Sequence, residues 1–336
     1  MILMRKIRGV VLCWRSLATM VVAAGVLWPS SALAAGIGSR PANPDPNNPR
    51  TQSIFIYQLN RGASKSDQLT ITNGLTEQAN IEVYAVDGTV TATGDMTCKQ
   101  KVEDKVDAGK WVNIPKQEIT LEAKENKLVD FTVNVPGKVD VGEHNACIVV
   151  QRKNIQPVAT GGVQIQTRQA IRMAIVVPGN IHRDVTIDKF DIKHENGGQL
   201  YEIALKNSGN VSADVDIKLV VKDAAGNVVY RNGGVNATIA NETRQFRYES
   251  KLAPFWGGKY TAELSISYKK KAGEWGVGQN QGELITKTIE PKELFFWPST
   301  MALAIIGGVL SLAILLLIGL IVTIKRRKKA VNFGNR

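Results

Sequence analysis

The sequence predicts an all-β ectodomain of two immunoglobulin-like β-sandwiches, followed by a single transmembrane helix. Three observations support this fold class. Apolar and polar residues alternate in many short runs, as in Val129–Val135; turn residues rich in Gly, Pro and Asn separate these runs; and residues 301–324 contain no charged side chain. The chain has 336 residues, of which 44% are hydrophobic and 6% aromatic, so it is large enough for more than one core.

The first 35 residues have the pattern of a secretory signal peptide. Met1–Arg15 is basic, Ser16–Trp28 is apolar, and the small residues that follow allow cleavage after Ala34 or Ala35. The alternative is an uncleaved signal anchor.

Turn-rich segments divide the exported part of the chain. Residues 36–50 are rich in Pro and Asn, which predicts an extended linker. We expect a first sandwich over residues 51–178 and a second over residues 184–291, because Pro178, Gly179 and Asn180 interrupt the alternating runs between them.

The C-terminal region predicts a membrane anchor. Residues 299–324 are long enough to cross a hydrocarbon core of about 30 Å, and residues 325–336 form a short basic tail. Aromatic residues just before the helix and basic residues just after it are typical of the two membrane interfaces. The predicted anchoring residues are Phe295, Phe296, Trp297, Lys325, Arg326, Arg327, Lys328 and Lys329. This pattern indicates a single-pass protein of the cell membrane with extracellular domains and a cytoplasmic tail.

The formal charge of +12 comes mainly from the two ends of the chain, whose basic residues are expected to direct membrane insertion. It does not indicate a nucleic-acid partner. Residues 1–35 and 294–336 hold ten basic residues and no acidic one, so residues 36–293 carry a charge of only +2. A nucleic-acid interface would need a basic patch in the exported domains. We therefore expect no nucleic-acid binding.

Cys98 and Cys147 are the two cysteines left after removal of a signal peptide. In an exported protein, an isolated pair is most simply a disulfide. A disulfide between them would close a loop of about fifty residues, which stabilises a fold by about 4 kcal/mol in the chain-entropy model. The alternative is a pair of free or redox-active thiols.

The sequence contains no catalytic or metal-binding motif that we recognise. Its three histidines, His144, His182 and His194, are scattered, and neither a nucleophile elbow nor a phosphate-binding loop is present. His144 follows Glu143, but this pair is more typical of a surface turn than of a catalytic site. We expect no cofactor and no enzymatic activity, with a glycan hydrolase as the less favoured alternative.

Three tryptophans are candidate ligand contacts. Trp111, Trp256 and Trp275 lie beside Gly or Lys near predicted turns, where an exposed ring can stack on a sugar or anchor a protein partner. The competing interpretation is that each ring closes one end of a sandwich core.

The first domain resembles the bacterial WxL-interacting surface proteins. The segments that carry the resemblance are Ser53–Tyr57, Asp67–Asn73, Ile81–Ala85, Gly109–Trp111, Ile119–Leu121, Val129–Pro136 and Val141–His144. The resemblance implies a peptidoglycan-binding immunoglobulin-like domain, a second β domain and a C-terminal membrane helix. The Cys98–Cys147 pair is not expected of that family.

These observations favour a membrane-anchored bacterial surface protein that contacts cell-wall glycan or a secreted or surface protein. The alternative is a docking module that holds a secreted protein at the membrane by strand addition. An unpaired sheet edge would favour strand addition, whereas a groove lined by aromatic rings would favour glycan binding.

Overall fold

The computed structural model describes residues 36–153, 167–195, 198–269 and 283–333. It confirms the predicted fold class, with two β-sandwiches followed by one long apolar helix. The predicted signal peptide, Trp275 and the side chains of Arg326–Lys329 lie outside the described residues.

The described residues of the first sandwich form ten strands in two sheets. One sheet has the order β1-β3-β8-β6, and the other has the order β2-β10-β9-β4, with β5 and β7 both paired to β4. The strands are β1 (Ile37–Pro41), β2 (Phe55–Gln58), β3 (Ser64–Asn73), β4 (Ala79–Val90), β5 (Met96–Cys98), β6 (Val112–Asn113), β7 (Glu118–Leu121), β8 (Asn126–Asn134), β9 (Gly142–Arg152) and β10 (Arg168–Val177).

Alternating apolar residues along the strands form the first core, as the sequence predicts. In β8, Val129, Phe131 and Val133 are buried, while the intervening Asp130 and Thr132 face outward or lie partly exposed. The inward-facing side chains of the two sheets pack together in one apolar cluster. The burial of this face fixes the register of the strand, because a shift by one residue would turn the apolar side chains outward.

The N-terminal segment differs from the predicted linker. Ile37–Pro41 forms β1 and pairs with β3, and Pro49–Gln52 forms a short 3-10 turn capped by the Asn48 side chain. The chain then crosses to the other sheet, where β2 runs parallel to β10. Pro and Asn are enriched here because the segment makes a turn between two sheets, and it belongs to the first domain.

In the second sandwich, the part of the chain that the structure describes forms eight strands. A three-stranded sheet has the order β11-β12-β15, and it faces a sheet with the order β14-β13-β16-β17, in which β18 also pairs with β16. The strands are β11 (Val185–Glu195), β12 (Gly198–Asn207), β13 (Ala213–Asp223), β14 (Val228–Thr238), β15 (Thr243–Ser250), β16 (Gly258–Lys269), β17 (Leu284–Thr288) and β18 (Lys292–Phe296).

The second domain extends past the predicted boundary at residue 291. β18 (Lys292–Phe296) belongs to its sheet, and Leu294 and Phe296 are buried in its core. The Phe296 ring packs edge-on against Tyr260, with ring centroids 5.0 Å apart. Phe296 was predicted to lie in the membrane interface, but pairing with β16 turns this side chain into the protein.

Polar contacts join the two sandwiches directly. The Glu143 side chain at the start of β9 is fully buried and accepts hydrogen bonds from the Ser212 amide and hydroxyl, both at 2.8 Å. A second contact lies at the turn between β4 and β5, where the Thr93 carbonyl accepts from the Gln245 amide at 2.8 Å. Gly94 at this turn has φ +81° and lies so close to the Thr243 carbonyl that a Cβ atom would be 2.2 Å from it.

Three residues separate the end of β18 from the helix α1 (Thr300–Phe333). The Ser299 hydroxyl accepts a hydrogen bond from the Ala302 amide at 3.1 Å, so Ser299 caps the helix. Thr300–Lys325 is long and apolar enough to cross a membrane.

Candidate functional site

The predicted disulfide is present. Cys98 in β5 is bonded to Cys147 in β9, with the Cα atoms 6.0 Å apart. Cys147 is fully buried in a small cluster with Tyr84, Val86 and Val149 on the face of the sheet away from the main core. The bond therefore fastens the β4–β5 hairpin over that face, which is a structural role.

The candidate ligand tryptophans have different environments. Trp111 is only 7% exposed and belongs to the core of the first domain, so its side chain is not available to a glycan. Trp256 is 60% exposed at the end of the second domain next to α1. Trp275 lies outside the described residues. The sequence could not separate these cases, because the burial of a ring near a turn depends on which strands fold over it.

His144 lies in a hydrogen-bonded network that supports a loop. Its Nδ1 atom is 2.7 Å from a carboxylate oxygen of Asp107, and its ring packs on Trp111 with ring centroids 4.7 Å apart. Burial disfavours the charged ring, but the hydrogen bond and charge of Asp107 outweigh it and raise the pKa of His144 above its ordinary value.

The same loop is held by a second carboxylate. Asp87 is buried and accepts hydrogen bonds from the backbone amides of Val106, Asp107 and Gly109. These hydrogen bonds give Asp87, Asp107 and His144 a structural role, which is to hold the loop in place. Within the described part of the chain, no group of three or more His, Cys, Asp or Glu side chains is arranged to hold a metal ion.

The candidate site is β14, a long edge strand of the second domain. Its 11 residues pair with β13 on one side, with a register shift that leaves out Val229, and within the described part of the chain no strand pairs with its other side. The side chains of Val228, Val229 and Val235 are exposed on this strand. An edge strand carries backbone amides and carbonyls that can pair with another extended chain.

The contacts of β14 indicate which backbone groups face the free edge. The Ala237 carbonyl accepts a hydrogen bond from the Arg244 side chain, and the Gly233 amide donates to the Asn232 side chain at 2.8 Å. Because strand residues alternate with a period of two, Val235 between them presents its amide and carbonyl to the same side. Arg231–Asn236 is therefore the accessible part of this edge.

A shallow groove lies beside this edge. It has a volume of ≈ 530 Å³ and is lined by Asp216, Ile217, Lys218, Val220, Arg231, Asn232, Gly233 and Gly234. Gly233 is paired with Lys218 and has φ +133°, and a Cβ atom on it would lie 2.0 Å from the Ile217 carbonyl. The backbone therefore requires glycine at position 233. A Cβ atom on Gly234 would have no atom within 4 Å, so the groove has open space beside Gly234.

The opposite edge of the second domain has features that oppose strand addition. β11 has an irregular register between Ile187 and Lys189, and ion pairs link Lys189 and Lys193 to Glu202 on β12. Hydrogen bonds from Lys193 and Arg247 lower the pKa of Glu202 to about 2, so this charge persists at physiological pH. Bulges and charged side chains are common devices that protect sheet edges. β14 also has a register shift, near Val228, but its exposed side chains include three valines.

Comparison with known proteins identifies no family for this chain. No family model matches the chain, and no curated protein matches it. Among solved structures, the class 5 fimbriae chaperone CfaA has 13% sequence identity and a TM-score of 0.38 and covers 76% of this chain and 100% of its own.

Two complexes give similar values. The CsuC–CsuE chaperone–tip adhesion subunit complex of Acinetobacter baumannii has 12% identity and a TM-score of 0.37, covering 69% of this chain and 94% of its own. The SafA pilin with the SafB chaperone of Salmonella enterica has 8% identity and a TM-score of 0.34, covering 78% and 96%. Likeness this distant does not indicate what the present chain binds.

Proposed function

We propose that the protein is a membrane-anchored docking module that binds an extended segment of a secreted or surface protein by strand addition to β14. The observation that carries this proposal is the accessible edge at Arg231–Asn236, with exposed valines and an adjacent groove. Main-chain hydrogen bonds would supply affinity, and the groove at Gly233 would select a side chain of the partner.

The membrane anchor is the second part of the proposal. α1 would span the membrane, with the sandwiches outside the cell and the basic tail inside, as the basic residues from Lys325 onward indicate. The anchor would retain the bound partner at the cell surface.

The glycan-binding hypothesis receives no specific support from the described residues. Trp111 is buried in the core, and Trp256 lies at the helix end of the second domain, packed edge-on against Phe255. The resemblance to WxL-interacting proteins, and the peptidoglycan binding that it implies, stay predictions.

The proposal is tested by placing a photo-crosslinking amino acid at Val235 in the full chain in its native membrane. The matched control carries it at Leu128, an exposed apolar residue on β8 of the first domain, paired with Thr70 of β3. We expect the crosslinks from position 235 to map to one extended segment of a partner, and a synthetic peptide of that segment to bind the full chain.

A Val235→Pro variant then tests strand addition itself. Proline removes an amide on the free side of β14 and so leaves pairing with β13 in place. We expect the peptide to bind at least about tenfold more weakly, which is 1.4 kcal/mol. Unchanged peptide affinity, or crosslinks equally frequent at Leu128, would contradict docking at this edge.

A further inference from the structure

The four exposed Phe and Trp side chains in the described part of the chain lie at one end of the second domain. The exposed fractions are 41% for Phe255, 60% for Trp256, 52% for Phe295 and 80% for Trp297. They come from two separate segments, the loop between β15 and β16 and the end of β18. Elsewhere, the larger aromatic side chains contribute to the cores or are partly buried against them.

Hydrogen bonding and close packing hold these two segments against the start of α1. The Ser299 amide, immediately before the helix, donates to the Phe255 carbonyl at 2.9 Å. Gly257 lies so close to the chain around residues 296–298 that a Cβ atom would be 2.4 Å from the Phe296 carbonyl. The positive φ of Gly257, +65°, also favours glycine, so the loop is built to approach the helix start.

The connection between domain and helix is short. Trp297, Pro298 and Ser299 separate the end of β18 from the beginning of α1, and three residues span at most about 11 Å. Ala302 in the first turn of α1 is fully buried, whereas the following residues up to Lys325 are exposed. The end of the second domain must therefore lie close to any membrane that α1 enters.

The exposed rings are chemically suited to that position. Phe255 and Trp256 pack edge-on with ring centroids 4.8 Å apart, and Phe295 and Trp297 do so at 5.5 Å. Aromatic rings of this kind concentrate at the level of the lipid headgroups. Lys251, in the loop after β15, and Lys259, at the start of β16, are exposed and can contact lipid phosphate.

We propose that Phe255 and Trp256, together with Phe295 and Trp297, form a lipid-binding face that seats the second domain directly on the outer surface of the membrane. This inference rests on the membrane insertion of α1 proposed above. The occupant is the headgroup layer of the same bilayer, because the face is continuous with the start of the helix. Seating at this face would fix the height of the second domain above the membrane, and with it the height of β14.

The test uses the full chain reconstituted in nanodiscs of phosphatidylcholine and phosphatidylglycerol, with and without a lipid that carries a nitroxide on its headgroup. Tryptophan fluorescence is measured for the unchanged chain and for the Trp256→Phe and Trp297→Phe variants. The difference between each variant and the unchanged chain gives the quenching of that one tryptophan. Phe keeps an aromatic ring at each position, so both variants retain the contacts of the face.

Trp297 reports insertion of the helix, and Trp256 reports seating of the domain. We expect the nitroxide lipid to quench both tryptophans by at least half. Quenching of Trp297 without quenching of Trp256 would overturn the lipid-binding face and leave the membrane anchor intact. Absence of quenching at both positions would overturn the anchor and the lipid-binding face together.

Discussion

Replacing Glu143 by alanine tests whether one buried carboxylate holds the two domains together. Its side chain is fully buried and contacts Arg172 at 2.5 Å within the first domain. It also accepts two hydrogen bonds from Ser212 in the second domain and one from the Asn145 side chain at 2.9 Å. The Glu143→Ala variant removes all of these contacts at once.

The expected loss is large because the carboxylate is both buried and shared. Removing one partner of a buried ion pair costs about 3–5 kcal/mol, since the remaining polar groups lose a partner where water does not replace it fully. Two of the hydrogen bonds cross the domain boundary, and each bond to a charged group contributes about 1.5–3 kcal/mol. These bonds overlap with the ion-pair estimate, so we expect a total of about 3–5 kcal/mol in the free energy of unfolding.

Urea unfolding of the full chain in detergent micelles, followed by tryptophan fluorescence, measures this loss. The matched control is Glu118→Ala, which removes an exposed carboxylate paired with Lys153 and should change the urea midpoint little. We expect Glu143→Ala to lower the midpoint strongly and to separate the unfolding of the two domains. Equal midpoints for the two variants would refute the role assigned to Glu143.

Three further predictions follow from the first domain. Reduction of the Cys98–Cys147 bond, which closes a loop of 49 residues, should lower the free energy of unfolding by about 4 kcal/mol; a urea midpoint that is the same with and without reductant would count against this. The raised pKa of His144 stabilises the fold fully below its unfolded pKa of about 6.5, and this contribution is lost as pH rises through the folded pKa. Urea midpoints of the unchanged chain and of His144→Gln should therefore differ more at pH about 5.5 than at pH about 8.5, and a difference independent of pH would exclude this role of the Asp107 contact. Gly94→Ala should destabilise the contact between domains, because a Cβ atom would meet backbone at 2.2 Å and the φ of +81° is unfavourable for alanine; thermal unfolding should show a lower midpoint, and an unchanged one would contradict this.

Local patterns in the sequence predict much of this architecture. Alternation in segments such as Val129–Val135 predicts which face of a strand is buried, because strand side chains point to opposite faces in turn. The uncharged run in residues 301–324 predicts the apolar helix, and the cysteine pair predicts the disulfide. Each of these signals depends on residue type and spacing along one segment of the chain.

The candidate site depends on pairings between distant segments. Whether β14 lies at an edge or inside a sheet depends on which strands pair with it, and its own sequence does not specify those partners. The same dependence on distant segments explains two differences from the sequence-based predictions. The Pro- and Asn-rich segment contains strand β1, which pairs with β3, and Trp111 is buried because distant strands close the core over it. Secondary-structure propensities and turn signals depend on local sequence, so they do not predict these contacts between distant segments.

By itself, the sequence determined the class of the molecule: β-sandwiches with a disulfide, joined to an apolar helix. Only the tertiary structure decided that Phe296 packs inside the second domain while Phe295 and Trp297 remain exposed. It also brought Phe255 and Trp256 to the same end, although about forty residues of chain separate the two pairs. The physical reason is that strand pairing assigns each side chain to a face and each strand to a position, and both depend on non-local contacts.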